Sequence, residues 1–386
     1  MRFREFEEKW EKARLSEHLE FKNGLNTDSK NFGKGVKFIS VMDILNNQYI
    51  TYDNIIGLVD IDIETQKRYE VNYGDILFQR SSETFEDIGQ ANVYLDNKSA
   101  VFGGFVIRGK KIGNYYPKFF KYLLNGPTAR KKVIIKGAGA QHYNIGQEGL
   151  SSVSLHFPAI QEQEKIANLL SLLDDRISTQ SQTIGDFKTL QISLINYYYH
   201  FQRYNDIALA DCIVQKSERN KKNEDYPVLS VSNKYGFIRQ SEQFENREVA
   251  SEDTSNYKIV RENDFAYNPA RINVGSIAKL KNYDNGIVSP MYVCFRTKDN
   301  LLPDFLEFYF NSQSFKNEMN KRLEGSVRQC LTFESLCDIP ICLPTIEEQK
   351  NTASRLISIQ KKIDIESDIK QLFEKQKKYL LQQLFI

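Results

Sequence analysis

From Ile166 onward, apolar or near-apolar residues recur at alternating spacings of four and three: Ile166, Leu170, Leu173, Ile177, Gln180, Ile184, Phe187, Gln191, Leu194 and Tyr198. This stripe predicts one long helix from about Ile160 to His200 with an a/d seam of coiled-coil type, in which Gln180 and Gln191 set register at some cost in stability. At ~1.5 Å per residue such a helix is a rod of roughly 60 Å. The register returns near the C-terminus as Leu356, Ile359, Ile363, Phe373, Leu380 and Leu384, interrupted by Glu366, Lys370 and Lys377. A proline stands before each stripe, Pro158 and Pro344. Elsewhere the pattern is β-like: short apolar runs such as VKFISV, DILF and AVFGGFVI are broken by Gly, Asn and Asp. Two short helices are expected, at Pro117 to Leu124 and near Pro303 to Phe310.

The stripes belong to a longer repetition. LHFPAIQEQEKIANLLSLLDDRI, from Leu155, is answered 186 residues later by ICLPTIEEQKNTASRLISIQKKI, from Ile341. Near the same offset YEVNYGDILFQR (from Tyr69) faces YKIVRENDFAYNPAR (from Tyr257), and YYPKFFKYLL (from Tyr115) faces LLPDFLEFYF (from Leu301). KGAGAQHYNI (from Lys136) faces RLEGSVRQCL (from Arg322). Blocks matched in one order mean that a whole globular unit and its helix were duplicated; the period is far too long for a solenoid. The expected fold class is α+β: two β-rich domains related by pseudo-twofold symmetry, separated by two long antiparallel coiled-coil helices. Each helix alone would leave an apolar stripe in water, so the two are expected to pack on one another. The boundaries are residues 1–157 for the first domain, 158–200 for the central helix, 201–343 for the second domain and 344–386 for the C-terminal helix.

Length and composition agree with two ordinary domains. The chain has 386 residues, 41% of them hydrophobic, with a mean hydropathy of −0.50, and its short apolar runs cannot span a bilayer. The N-terminus MRFREFEEKWEKAR lacks an apolar core of the secretory kind, which predicts a cytoplasmic location with no membrane association. Five cysteines without a CxxC read as reduced thiols, and four scattered histidines predict no metal site.

Net charge is only +2, but its distribution is uneven. Nine basic residues (Arg108, Lys110, Lys111, Lys118, Lys121, Arg130, Lys131, Lys132 and Lys136) fall in a stretch free of Asp and Glu between Asp96 and Glu148. Aromatic residues Tyr115, Tyr116, Phe119, Phe120, Tyr122 and Tyr143 are interleaved with them. This block is expected to form a positive surface for a phosphate backbone.

No catalytic constellation accompanies it. GxxxxGK[ST], GxSxG and HExxH are absent, Asn268-Pro269 continues as Ala270-Arg271 where an adenine methyltransferase motif needs Pro-Tyr, and Glu20-Phe21-Lys22 has no placed partner Asp. A binding protein is therefore expected, with no catalytic residue. The alternative from another class is a stand-alone DNA-modifying enzyme, a methyltransferase or nuclease with degenerate motifs. A third reading is a scaffold whose two heads bind proteins. The candidate binding residues are two glycine-led loops, Gly139, Gln141, His142, Tyr143 and Asn144 with Lys131, Lys132 and Lys136 before it, and Gly325, Ser326, Arg328 and Gln329. Two segments that follow a strand join them: Gln79, Arg80 and Ser81, and Tyr267, Asn268, Arg271 and Asn273. Glycine lets a backbone approach a phosphate, and Gln, Asn or Arg can read base edges.

FPAIQEQEKIA and LPTIEEQKNTA, GxGxQxYNI and GSVRQCL, and YNPARINVGSI resemble segments of the specificity subunits of type I restriction-modification systems, over essentially the whole chain. The resemblance implies that each domain is a target-recognition domain reading one half of a bipartite, asymmetric double-stranded DNA sequence. It also implies that the helices set the spacer and dock two methyltransferase (M) subunits, through Glu162, Gln163, Ile166, Leu170, Leu173 and Ile177 in one copy and Glu348, Gln349, Leu356, Ile359 and Ile363 in the other. Motor-nuclease (R) subunits would join. S-adenosylmethionine, ATP and Mg would bind the partner subunits and no cofactor this chain.

Overall fold

The computed structural model describes residues 2–139, 142–200, 206–243, 253–325 and 329–385. The chain divides into two compact units, one of residues 1–181 with 368–386 and one of residues 182–367. Each long helix thus contributes one half to each unit.

In the first unit, strands Leu19–Asn23, Val106–Lys111, Ile76–Gln79 and Ala91–Val93 lie in that order in one antiparallel sheet. A second sheet runs Leu58–Val59, Phe32–Ile39, Ala100–Phe102, Glu70–Val71, with a parallel pair at its centre. The second unit repeats this plan. Its antiparallel sheet runs Ile213–Lys216, Val293–Thr297, Phe265–Tyr267, Ile277–Lys279. Its mixed sheet runs Gly236–Arg239, Val228–Ser232, Asn285–Val288, Lys258–Arg261, again with a central parallel pair. Each unit adds two helices: Pro117–Asn125 and Pro127–Ile134 in the first, Pro303–Tyr309 and Gln313–Lys321 in the second. Proline opens three of them, where its missing N–H leaves nothing unpaired.

The long helices span Ile160–Tyr198 and Ile346–Leu384. In the first unit Asp174 pairs with Lys377, and the Arg176 guanidinium lies 5.7 Å from the Phe373 ring centre. In the second, Gln191 donates to Gln360 Oε1 at 3.1 Å and Arg355 donates to the Tyr198 hydroxyl at 3.0 Å. Rising numbers on one helix meet falling numbers on the other, so within each unit the two segments run antiparallel. The seam does more than join helices. Ile166, Leu170 and Leu173 enter one apolar cluster with Leu380, Leu384 and the domain's Phe119 and Phe120, and Leu356 does so with Ile195, Tyr199 and Phe305. The helices are therefore rooted in the domain cores rather than forming an isolated coiled coil, because the apolar stripe is wide enough to serve both partners. Glu366, an interruption of the seam, is 9% exposed and paired with Lys362.

The start of each helix is fixed by one buried glutamine. Gln163 accepts from the Tyr116 backbone N–H at 3.0 Å and donates to the Pro158 carbonyl at 2.9 Å. Gln349 accepts from Leu302 N–H at 2.8 Å and donates to the Pro344 and Asn300 carbonyls at 3.0 Å each. Tyr116 and Leu302 cap the helices at Pro117 and Pro303, so the amide ties the long helix to its domain. Leu in place of Gln163 or Gln349 strands buried backbone groups and is expected to cost about 2–4 kcal/mol, read as a lowered urea midpoint. A loss within ~0.5 kcal/mol, the range of an ordinary surface change, would mean that water replaces the amide.

Candidate nucleic-acid interface

The two glycine-led loops are the same hairpin built twice. Ala138 and Asn144 exchange both backbone hydrogen bonds at 2.9 Å, and Glu324 and Cys330 do so at 2.9 and 2.8 Å, each pair enclosing five residues. The glycine after each closing pair has a positive φ, +143° at Gly139 and +104° at Gly325, a region where a side chain is strained. At Gly139 a Cβ would also stand 2.0 Å from the His142 carbonyl oxygen.

Each hairpin is stitched to the other candidate segment of its own unit. Ile145 N–H donates to Arg80 O at 3.0 Å, Leu331 N–H to Pro269 O at 3.1 Å, and Ser81–Ser82 pairs with Tyr143–Asn144 as a short antiparallel ladder. Segments some 60 residues apart in sequence thus form one edge in each unit. On the first, Ser81 donates to Asn144 Oδ1 at 2.5 Å, Phe85 meets the Tyr143 ring edge-on at 5.2 Å, and His142 is exposed. Arg80 is half-buried, one guanidinium nitrogen donating to Gly104 O at 3.2 Å. On the second edge Arg271, Asn273, Gly325 and Gln329 are exposed. Gln141, Ser326 and Arg328 lie outside the described residues.

Other expected contacts are turned inward. Gln79 is 6% exposed and donates to Ser81 O at 2.9 Å. Tyr267 is fully buried, its hydroxyl donating to Leu331 O at 3.2 Å, and Asn268 is buried with its Oδ1 accepting from Ala270 N–H. These residues shape the edge from behind. Glu162, Gln163 and Gln349 are likewise buried, Glu162 accepting from Arg2 at 2.7 and 2.8 Å and from Trp10 at 3.3 Å. They hold the helices in place and offer no docking surface. Glu348 is exposed and accepts from Thr345 N–H and its hydroxyl at 3.0 and 2.8 Å, capping its helix. Ile166, Leu170, Leu173, Leu356 and Ile363 are buried in the seam, with Ile177 and Ile359 half-buried beside them.

The basic block does not make one surface. Arg108 is 8% exposed and donates to Glu70 O. Arg130 donates to Glu86 and Ile88 carbonyls at 2.8 and 2.7 Å, and Lys132 donates to Ser154 O at 2.9 Å. Lys121 reaches the Gln48 carbonyl between the rings of Tyr49 and Tyr122. Tyr115, Phe119, Phe120 and Tyr122 are core residues. Lys110, Lys131 and Lys136 remain exposed, the last two on and just after the helix that leads into the hairpin.

A family model for the type I restriction modification DNA specificity domain matches residues 7–185 and again residues 203–375. The chain belongs to this family. It is 25% identical over 418 aligned residues to the putative type I restriction enzyme MjaX specificity subunit of Methanocaldococcus jannaschii, covering 98% of this chain and 93% of that protein. To the type I restriction enzyme EcoKI specificity subunit of Escherichia coli it is 21% identical over 350 residues, 82% of this chain and 74% of that one. The crystal structure of a type I restriction-modification S subunit from M. genitalium matches with a TM-score of 0.59 at 14% identity, over 100% of this chain and 97% of that one. A chain from a structural study of complex assembly in the type I system matches at 0.58 and 12% identity, over 98% and 97%. At these identities the structural likeness speaks for the fold. This specificity subunit has two target-recognition domains, and catalysis lies in partner subunits, so the stand-alone enzyme reading is not favoured. No helix among the described residues is long and apolar enough to cross a membrane.

Two outcomes follow from this geometry. Gly139→Ala is expected to open the first hairpin, seen as faster amide exchange at Ala138 and Asn144 with the Ile76–Gln79 strand still protected; unchanged protection at both would mean the turn absorbs a side chain. Burial pushes the Lys121 ammonium down from 10.5 to about 8. Its cost to folding is therefore full below about pH 8 and fades as pH rises toward 10.5, up to on the order of 3 kcal/mol. Against Lys121→Met, the wild type should gain in urea midpoint between about pH 7 and 9.5, and parallel curves would contradict the burial.

Proposed function

We propose that each target-recognition domain reads one half of a bipartite, asymmetric double-stranded DNA sequence, using its hairpin and the strand-end segment stitched to it. The observation that carries this reading is the edge itself: backbone closure and stitching recur in both units, while the side chains they present differ. His142, Ser81, Asn144 and Arg80 stand on one; Arg271, Asn273 and Gln329 on the other. One backbone frame with two sets of polar tips suits two unlike half-sites, since base edges are told apart by donors and acceptors and positioning comes from phosphates. Lys131 and Lys136 would supply phosphate contacts beside the first edge.

In this reading the long helices fix the distance between half-sites and dock two methyltransferase subunits, and motor-nuclease subunits join the assembly for cleavage in the cytoplasm. S-adenosylmethionine, ATP and Mg act in those partners. Docking would use exposed positions of the helices, such as Leu172, Leu372 and Tyr379 in the first unit and Leu190, Ile192 and Tyr197 in the second.

Comparing the methylome of cells with and without the gene tests the reading: one bipartite motif should appear only with the gene. Arg271→Ala is expected to relax the second half-site alone, by on the order of 1–3 kcal/mol if it pairs with a base. Lys131→Gln with Lys136→Gln should weaken binding to all DNA and lower the salt slope by about one per lost contact. Relaxation of both half-sites by Arg271→Ala would sink the division of labour.

A further inference from the structure

The edge in each unit has one neighbour that none of the polar candidates explains. The strand ending at Phe102 is joined to the strand beginning at Val106 by a tight turn, with Val106 N–H donating to Gly103 O at 2.8 Å. The equivalent turn in the second unit has Tyr292 N–H donating to Ser289 O at 3.0 Å. At the third position of each turn stands a large apolar side chain held out in water: Phe105 is 71% exposed and Met291 is 60% exposed.

Single exposed apolar residues are ordinary. These two are not single. Of the exposed large apolar side chains among the described residues, only Phe105 and Met291 are separated by 186 residues, the spacing at which the two hairpins and the two glutamines recur. Both also flank the edges described above. Arg80 N–H donates to Phe105 O at 2.8 Å and its guanidinium to Gly104 O, so the phenyl ring projects beside the first edge. Met291 lines a cleft of about 620 Å³ together with Asn268 and Arg271 of the second. The first turn is closely packed: a Cβ on Gly103 would stand 2.5 Å from the Phe38 ring, and one on Gly104 1.8 Å from Asn26 Oδ1.

We propose that Phe105 and Met291 are apolar base-reading contacts, one per half-site, each placed against the C5-methyl group of a thymine in the major groove. The proposal rests on the DNA-reading function above and adds to it a residue and a base. Every base edge in the groove offers donors or acceptors, and only thymine adds a methyl group, which an apolar side chain between polar readers is suited to detect. Phe and Met are both soft enough to cover a methyl group, and neither can pair with a base.

The test uses the complete complex with its methyltransferase subunits and a duplex carrying the motif found in the methylome. Thymines are replaced by uracil one at a time, which removes the methyl group and keeps the pairing. One thymine in the first half-site should matter by about fourfold in affinity, the worth of one buried methyl group. Phe105→Ala should weaken binding by at least that factor and abolish the sensitivity to that uracil, while Phe105→Leu restores part of both. Met291→Ala should do the same in the second half-site and leave the first untouched. The proposal is overturned if neither half-site shows a methyl-sensitive thymine, if the variants keep the wild-type response to uracil, or if they lose the methyltransferase subunits instead, which would make the turns protein contacts. In all these cases a sequence-specific wild-type complex leaves the DNA-reading function standing; a wild-type complex without sequence preference removes it.

Discussion

A carboxamide buried at the first turn of each long helix couples two kinds of structure that would otherwise be independent. A β-rich domain has no intrinsic reason to hold a helix of 39 residues at one angle. Gln163 and Gln349 supply the reason, because each satisfies a proline carbonyl ahead of its own helix and the cap of the domain's proline-opened helix with one rigid planar group. A hydroxyl is too short to reach both, and a carboxylate could accept but not donate. The amide acts at the first turn and the seam residues along the length of the same helix, both against the domain. The acidic neighbour in each copy shows what is free to vary: Glu162 is buried under Arg2 and Trp10, whereas Glu348 caps its helix in water.

The repetition is strict in the backbone and loose in the side chains. Hairpin closures, the bonds from Ile145 and Leu331, the tight turns and the sheet orders recur almost bond for bond. Arg80, whose N–H holds the neighbouring turn, is answered by Pro269, which has no N–H to give. Main-chain bonds do not depend on which side chains project from the loop, so a frame of this kind tolerates replacement of the projecting residues, and recognition can diverge without refolding.

The large features were legible in the sequence because they are periodic or repeated. The four-three spacing located the central helix to within two residues of its end at Tyr198, and the prolines marked the short helices at Pro117 and Pro303. The seam's second use, inside the domain cores, was not legible, since an apolar stripe does not say how many partners it has. The basic block misled for a related reason. Arg108, Lys121 and Arg130 are taken up by carbonyls of residues distant in the chain, and no linear pattern announces an acceptor of that kind. Gln79 lies at the end of a strand buried at every position from Ile76 onward, so alternation gave no warning that it points inward. Phe105 and Met291 carried a signal that only their common spacing reveals.

The way the chain enters and leaves each domain has a further consequence. Glu11–Arg14 lies antiparallel to Ser154–Phe157, and Asp206–Ala208 to Pro340–Cys342. The two ends of each domain are thus hydrogen-bonded neighbours, and what lies between them is a closed loop of fold tied off at its base. Such a segment can be exchanged for another that keeps the same frame and the same ties to the helix, the N–H donated to Gln163 or Gln349 among them. If each domain reads its own half-site, as proposed, exchange of one such segment would change one half of the recognised sequence and leave the other as it was.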